Sequence, residues 1–442
     1  VPLPTRYCAI VSVTAATAAI VIDGAVAIVA LPAIARATGV TQSQSVMAVT
    51  LYQFLLAVSL IPMAALGERL GFRRVFRIGL GLFAASVLLC PMVQSFGQLL
   101  ALRALQALGG ALALSVGSAQ IRLVYPSRQL GRGLALNSLT VALCTSLAPL
   151  LGAAILAIAP WPFVFASAAP PAIVALLASH ALPADRKTRT RFDARSAALF
   201  ALTMGLVFAA LDSSLWPSQA IVLRSAAMLL ASLGGWALVR RDNRRDKPLF
   251  PVDLLRRPLI VLSICGALCA FASSMAVLVI LPFRLGEAHG LSTPAIASAL
   301  AIWPLATMVA APSIGLLSDR IAPWLLGSIG MTTVLVALCF LASAPHDAGL
   351  ADLGWRLALC GAGFAAYTAS NARLVLASAP RERSAAVGSL IATTRILGQS
   401  IGAIIAAAVL ARQWAGAPAG LVIPLVLAGL ALMLSLSRRL AA

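Results

Sequence analysis

Fourteen long apolar stretches, separated by short polar connections, constrain this chain more than any other feature. They cover about 8–32, 45–65, 75–95, 97–121, 132–158, 161–182, 196–212, 219–239, 258–283, 294–317, 323–344, 354–378, 384–411 and 418–437. A bilayer core about 30 Å thick is crossed by roughly 20 apolar residues of helix. Inside lipid every backbone polar group must be satisfied internally, which a helix does by itself. Strand-type alternation is absent, and with it the signature of an outer-membrane barrel. The expected fold class is therefore all-α and polytopic, with 14 transmembrane helices. Composition agrees: the 442 residues are 61% hydrophobic and 10% charged, too apolar to cover the exterior of a soluble domain.

The net charge of +20 has two readings, nucleic-acid binding or membrane topology. The position of the basic residues favours the second. Of the 33 Lys and Arg, 26 fall in the connections after even-numbered helices or at the termini, and four fall in the others. Arg103, Arg224 and Arg395 lie inside predicted helices. Basic residues accumulate on the cytoplasmic side. Both termini are thus expected in the cytoplasm, the basic loops are expected to face anionic lipid headgroups, and no nucleic-acid partner is expected. One missed helix would invert every later loop. The first apolar run, long and interrupted by Asp23, reads as a retained helix and not a cleaved signal.

Two connections are longer than the rest, 182–195 and 240–257, both basic. They divide the chain into a six-helix bundle over 1–182, a two-helix insert over 183–257 and a second six-helix bundle over 258–442. Six plus six suggests two related halves around a central path. The loop between the second and third helices carries Gly67, Glu68, Arg69, Gly71, Arg73 and Arg74; the matching loop of the second half carries Asp319 and Arg320. An acid-Arg pair at the same point of both halves reads as a gating element whose charges are paired and re-paired.

Few groups offer chemistry. Asp23 lies within the first helix, where an ionisable group is costly and tends to face a cavity or a partner. It reads as a proton-exchanging acid or as a carboxylate bonded to a neighbouring helix. Arg103 in the fourth helix reads as its charge partner, as an anion holder, or as a snorkelling residue. Arg395 is too deep in the thirteenth helix to snorkel easily. Tyr52, Gln53, Gln106, Asn137, Trp303, Tyr367, Asn371, Arg395 and Gln399 are candidates to line a mostly apolar cavity for lipophilic or amphipathic solutes. Each equally well bridges two helices. Pro149 and Gly152 in the fifth helix suit a kinked, closely packed hinge. The seven cysteines lie in or beside apolar runs with no converging ligands, so neither a metal nor a disulfide framework is expected. The sequence has no phosphate-binding Gly-x-x-x-x-Gly-Lys loop and no hydrolase elbow or metalloprotease helix. No cofactor and no enzyme activity are expected, and uphill transport would draw on an ion gradient.

Together these residues resemble the major facilitator superfamily, and within it the fourteen-helix drug:proton antiporter branch. Residues Ala64 to Arg74 are similar to the loop signature Gly-x-Leu-Ala-Asp-Arg-x-Gly-Arg-Lys, with Ala64 and Glu68 at its first Gly and its Asp. Residues Ile22 to Pro32 are similar to Leu-Asp-x-Thr-Ile-Val-Asn-Val-Ala-Leu-Pro, with Ala25 and Ile28 at its polar Thr and Asn. Arg103 to Ala111 resembles Arg-x-x-Gln-Gly-x-Gly, with Ala107 at its first Gly. Ala148 to Ala153 resembles the antiporter signature Gly-Pro-x-x-Gly-Gly, with Ala148 at its first Gly, and Trp161 to Phe165 resembles Trp-Arg-Trp-Ile-Phe with Pro162 at the Arg. The resemblance implies two six-helix bundles that rock around a central site. It further implies a monomer in a bacterial inner membrane that exports small molecules against inward proton flow, with Asp23 and Arg103 as the coupling groups. A dedicated metabolite or natural-product exporter, an importer and a non-transporting sensor are the other readings.

Overall fold

Each apolar run folds as helix, and proline, glycine and charge set where the helices stop. The computed structural model describes residues 3–124, 130–183, 194–211, 221–242, 257–317, 320–345, 348–378, 384–414 and 417–441. The helices are α1 (Leu3–Thr38), α2 (Gln42–Ser45), α3 (Met47–Leu70), α4 (Phe72–Leu89), α5 (Phe96–Val124), α6 (Leu130–Ile158), α7 (Pro162–Ala166) and α8 (Ala169–Ala178). They continue with α9 (Ala194–Leu211), α10 (Ile221–Asp242), α11 (Pro258–Glu287), α12 (Thr293–Leu317), α13 (Pro323–Ala342), α14 (Leu350–Ala377), α15 (Ser384–Ala411) and α16 (Val422–Ala441). No strand occurs among the described residues.

Among the described residues, twelve helical spans are long and apolar enough to cross a membrane. The fourteen predicted runs all have helical counterparts, but α9 and α14 stand outside the twelve. The apolar part of α9 is short, covering Arg195–Ala210. In α14, 28 residues long, Asp352, Arg356 and Arg373 dilute the apolar sequence near its two ends. The predicted sixth helix is in fact two pieces, α7 and α8. Pro170, at the start of α8, has no N–H to continue the helix ladder, so the chain turns at Ser167 and Ala168.

The connection between α3 and α4 is tighter than the sequence indicated. Glu68 and Arg69 still belong to the last turn of α3, and Arg73 and Arg74 to the first turn of α4. Gly71 alone separates the two helices, with φ 101° and ψ 136°. That region is nearly closed to residues with a Cβ. The corner is tied by Gly71 N–H to Gly67 O at 2.9 Å and Val75 N–H to Gly71 O at 3.1 Å.

The chain divides into two compact units. The first holds Val1–Val40, Met47–Ala210 and Ile221–Arg241; the second holds Thr41–Val46 and the chain from Asp242 onward. Within the first, α1 packs on α6 and α8, α3 and α4 pack on α5, and α4 packs on α8. Within the second, α11 packs on α15 and α16, α12 and α13 pack on α14, and α13 packs on α16. The two units therefore use the same pairing scheme. Both contain helix crossings made backbone to backbone. A Cβ at Gly109 would fall 2.8 Å from Gly79 O, and one at Gly363 would fall 2.6 Å from Gly330 O. Small residues let helices approach where lipid supplies no hydrophobic drive.

The core of the first unit gathers Val13 and Ile20, Phe76, Leu80 and Phe83, Val116, and Ala172 and Ala175. Outward faces are apolar as well: Leu147, Leu177, Leu233, Trp236, Val309 and Met433 are exposed. A water-facing surface of this kind would aggregate, whereas a lipid-facing one is ordinary.

Candidate functional site

Three helices of the first unit bring polar groups to one buried point. Asp23 sits on α1, Tyr52 on α3, and Arg103 and Gln106 one turn apart on α5. Asp23 and Arg103 have no solvent exposure, and Arg103 Nη1 donates to Asp23 Oδ2 at 2.7 Å. The same nitrogen donates to Gln106 Oε1 at 2.8 Å, and Nε donates to the Ala48 carbonyl at 2.9 Å. The Gln106 amide in turn donates to Cys90 Sγ at 3.1 Å. The guanidinium lies over two rings, 4.0 Å from the centroid of Tyr52 and 5.0 Å from that of Phe165. Tyr52 donates its hydroxyl proton to the Ile20 carbonyl at 3.2 Å, and its oxygen also lies within electrostatic reach of Asp23.

Two polar atoms of this cluster remain uncommitted: among the described residues, Asp23 Oδ1 and Arg103 Nη2 have no hydrogen-bond partner of regular geometry. Moving two charges out of water costs several kcal/mol per ion, and their attraction offsets that cost only when the surrounding donors and acceptors are satisfied. Arg103 is well supplied on two of its nitrogens, and Asp23 on one of its oxygens. The arrangement can hold a proton on Asp23 in exchange for the Arg103 contact, and it leaves one acceptor and one donor for a further polar group.

The chain's sequence places it in a known family. The model described as Major Facilitator Superfamily matches residues 13–403 and 262–441. The chain is a member of the major facilitator superfamily. A relative in that superfamily, the uncharacterized transporter YebQ of Escherichia coli K12, is 40% identical over 412 residues, 92% of this chain and 90% of YebQ. The riboflavin transporter RibZ of Clostridioides difficile is 26% identical, over 86% of this chain and 83% of its own. The tetracenomycin C resistance and export protein of Streptomyces glaucescens is 26% identical, over 93% of this chain and 76% of its own. In fold the chain is similar to an inward-facing bacterial homologue of the lysosomal transporter Spinster, with TM-score 0.73, 15% identity and coverage of 100% and 99%. The protein is thus a transporter and not an enzyme.

The other candidate residues of this superfamily member take several positions. Gln53 follows Tyr52 on α3 and is half-buried. Asn137 on α6 accepts a hydrogen bond from Thr17 of α1 at 2.8 Å. Pro149 lies inside α6, and a Cβ at Gly152 would meet Val26 of α1 at 2.8 Å, so α6 and α1 are in close contact there. In the second unit Trp303 is buried, with its ring 6.2 Å from Phe364, which meets Phe271 edge-on at 5.3 Å. Tyr367 and Asn371 are buried on α14, whereas Arg395 and Gln399 on α15 are half-buried. At the α3–α4 corner Glu68, Arg69 and Arg74 are exposed, and Arg73 donates to the His180 carbonyl at 2.8 Å. Arg320 is exposed, and Asp319 lies outside the described residues.

Sequence reasoning missed Phe165 as a ring beneath Arg103 and Cys90 as the acceptor of Gln106. It also assigned Arg284 and Arg438 to loops. Arg284 is buried near the end of α11 and donates to the carbonyls of Ala417 at 2.8 Å and Ala342 at 3.4 Å. Arg438 is fully buried within α16. A count of charges between apolar runs has no means of separating a buried helix-end arginine from a solvated one.

Proposed function

We propose that the chain is a proton-coupled secondary transporter that exports lipophilic or amphipathic small molecules from a bacterial cell, with Asp23 and Arg103 as its coupling pair. The observation that carries this reading is the fully buried 2.7 Å pair with one carboxylate oxygen left uncommitted. A proton arriving at Asp23 neutralises the carboxylate and releases Arg103 to its other partners, Ala48 O and Gln106. Loss of that proton on the other side of the membrane restores the pair. Each of proton and substrate must bind two states of the protein with different affinity, because a ligand with equal affinity for both shifts nothing. The resistance and export role in the name of the Streptomyces relative supports export as the direction.

The test is substrate-driven proton flux in proteoliposomes, native protein against Asp23→Asn. The variant keeps the size of the side chain and removes its titration. Flux coupled to substrate is expected to fall at least about tenfold, while facilitated substrate movement persists, as befits an intramembrane acid with a relay role. Undiminished coupling in Asp23→Asn would remove Asp23 from the mechanism.

A second reading, a dedicated transporter of one metabolite, is favoured by the riboflavin transporter among the relatives. A panel of chemically diverse solutes in the same proteoliposomes separates the two: a single transported compound supports the dedicated reading, a broad set the multidrug one.

A further inference from the structure

Arg438 is a buried cation in the second unit that the transport reading does not use. It stands near the C-terminal end of α16, where a side chain would ordinarily extend toward the headgroups. It does the opposite. Its Nη2 lies 2.8 Å from the position of a Cβ on Gly266, which is eight residues, about 12 Å of helix, inside the start of α11. The guanidinium thus reaches inward and has no exposure.

Its surroundings among the described residues are polar but carry no counter-charge. Nη2 donates to the Tyr367 hydroxyl at 3.1 Å, and the guanidinium lies 5.5 Å from that ring. Ser328 and Ser435 hydrogen-bond to each other at 3.1 Å beside it, and Gly327 brings α13 within contact of Ser370, Ser435 and Nη1. Among the described residues Arg438 Nε and Nη1 have no hydrogen-bond partner. A single hydroxyl and a ring face do not offset the removal of a guanidinium from water, which needs charge or several good acceptors.

The same end of this unit is positively charged. Arg257 precedes α11 and donates to the Ser378 carbonyl at the end of α14; Arg320 precedes α13, Arg373 lies in the last turns of α14, and Arg439 lies over Trp324 at 5.6 Å. Among the described residues of α11 to α16 no Asp or Glu lies at this end. Such a field concentrates anions at the entrance.

We infer that Arg438, through its uncommitted Nε and Nη1 donors and with the Tyr367 hydroxyl beside it, forms a binding site for a small inorganic anion of halide size. The close approach of Gly266 and Gly327 to the guanidinium nitrogens excludes a bulky headgroup or an organic acid. The site shares no residue with the Asp23–Arg103 cluster, and it ties α11, α13, α14 and α16 together when filled.

The experiment is thermal unfolding of the purified full chain in detergent at constant ionic strength, exchanging gluconate for chloride or bromide. The native protein is expected to gain about 1.5 °C for each tenfold rise in halide above its dissociation constant, and Arg438→Gln is expected to show no such gain. If Arg438→Gln does not fold, Arg438→Lys serves: it keeps the charge but loses the planar donor set, and its halide midpoint is expected to rise at least about tenfold. Equal melting temperatures in chloride and gluconate for the native protein would overturn the site, as would a halide gain that persists in Arg438→Gln or a midpoint unchanged in Arg438→Lys. Glu382 and Asp319 belong to connections outside the described residues. A native protein indifferent to halide, with Glu382→Gln or Asp319→Asn as destabilised as Arg438→Gln, would assign the counter-charge to the chain itself and overturn the proposal.

Discussion

Arg103 joins more elements than any other side chain of the candidate site. It contacts Asp23 of α1, Ala48 and Tyr52 of α3, Gln106 of its own helix and Phe165 of α7. Its removal leaves Asp23 without its charge partner in an apolar interior. Breaking one side of a buried pair costs about 3–5 kcal/mol, whereas a neutral replacement of both partners is often close to neutral. Arg103→Gln is therefore expected to lose that much stability, and the double variant Asp23→Asn/Arg103→Gln much less than the sum of its singles. Unfolding of the four proteins of this cycle in detergent checks it, and strict additivity would mean that the two groups do not act as a pair. The readings of Asp23 and Arg103 as partners were available from the sequence, because each is an ionisable residue in an apolar run. Their distance was not, since 80 residues separate them.

At the scale of elements, the α3–α4 corner is the feature most changed by the structure. The sequence marks it as a loop of charges between helices. It is a single glycine between two helices, and the charges sit on the helix ends themselves. Arg73 and Arg74 occupy a first turn, where the helix dipole disfavours cations. A corner of this kind holds charges at a helix junction at some cost in stability, and we propose that it serves as a gate that opens and closes. Gly71→Ala forces a Cβ into φ 101° and should cost about 1–3 kcal/mol. It is expected to slow substrate turnover in proteoliposomes while leaving equilibrium substrate binding within about twofold, since the corner holds no cavity candidate. A loss of binding with unchanged turnover would refute a gating role. The backbone crossings at Gly79–Gly109 and Gly330–Gly363 were not readable in advance. Glycine is frequent in this chain, and only three-dimensional packing selects which glycines face each other.

For the whole molecule, the arginine census and the helix pairing support each other from different directions. The census predicts an even number of crossings with both termini on one side. The pairing scheme, repeated from α1–α8 in α11–α16, reflects two related six-helix halves. Reporter fusions at the two chain ends test the topology. Green fluorescent protein is expected to fluoresce at either terminus and alkaline phosphatase to be inactive at both, because basic loops remain in the cytoplasm. Opposite behaviour at the two ends would require an odd number of crossings.

The sequence by itself determined the membrane, the helices and the family. These follow from local quantities: apolar length against bilayer thickness, the bias of arginine between alternate loops, and short motifs whose spacing is fixed within one helix or one corner. Tertiary structure alone decided which buried groups meet. It paired Asp23 with Arg103, placed Phe165 beneath the guanidinium, and turned Arg438 inward against Tyr367. Those contacts depend on how helices distant in sequence rotate and cross. In lipid, with apolar surface inside and outside alike, hydrophobic periodicity no longer reports which face of a helix is buried.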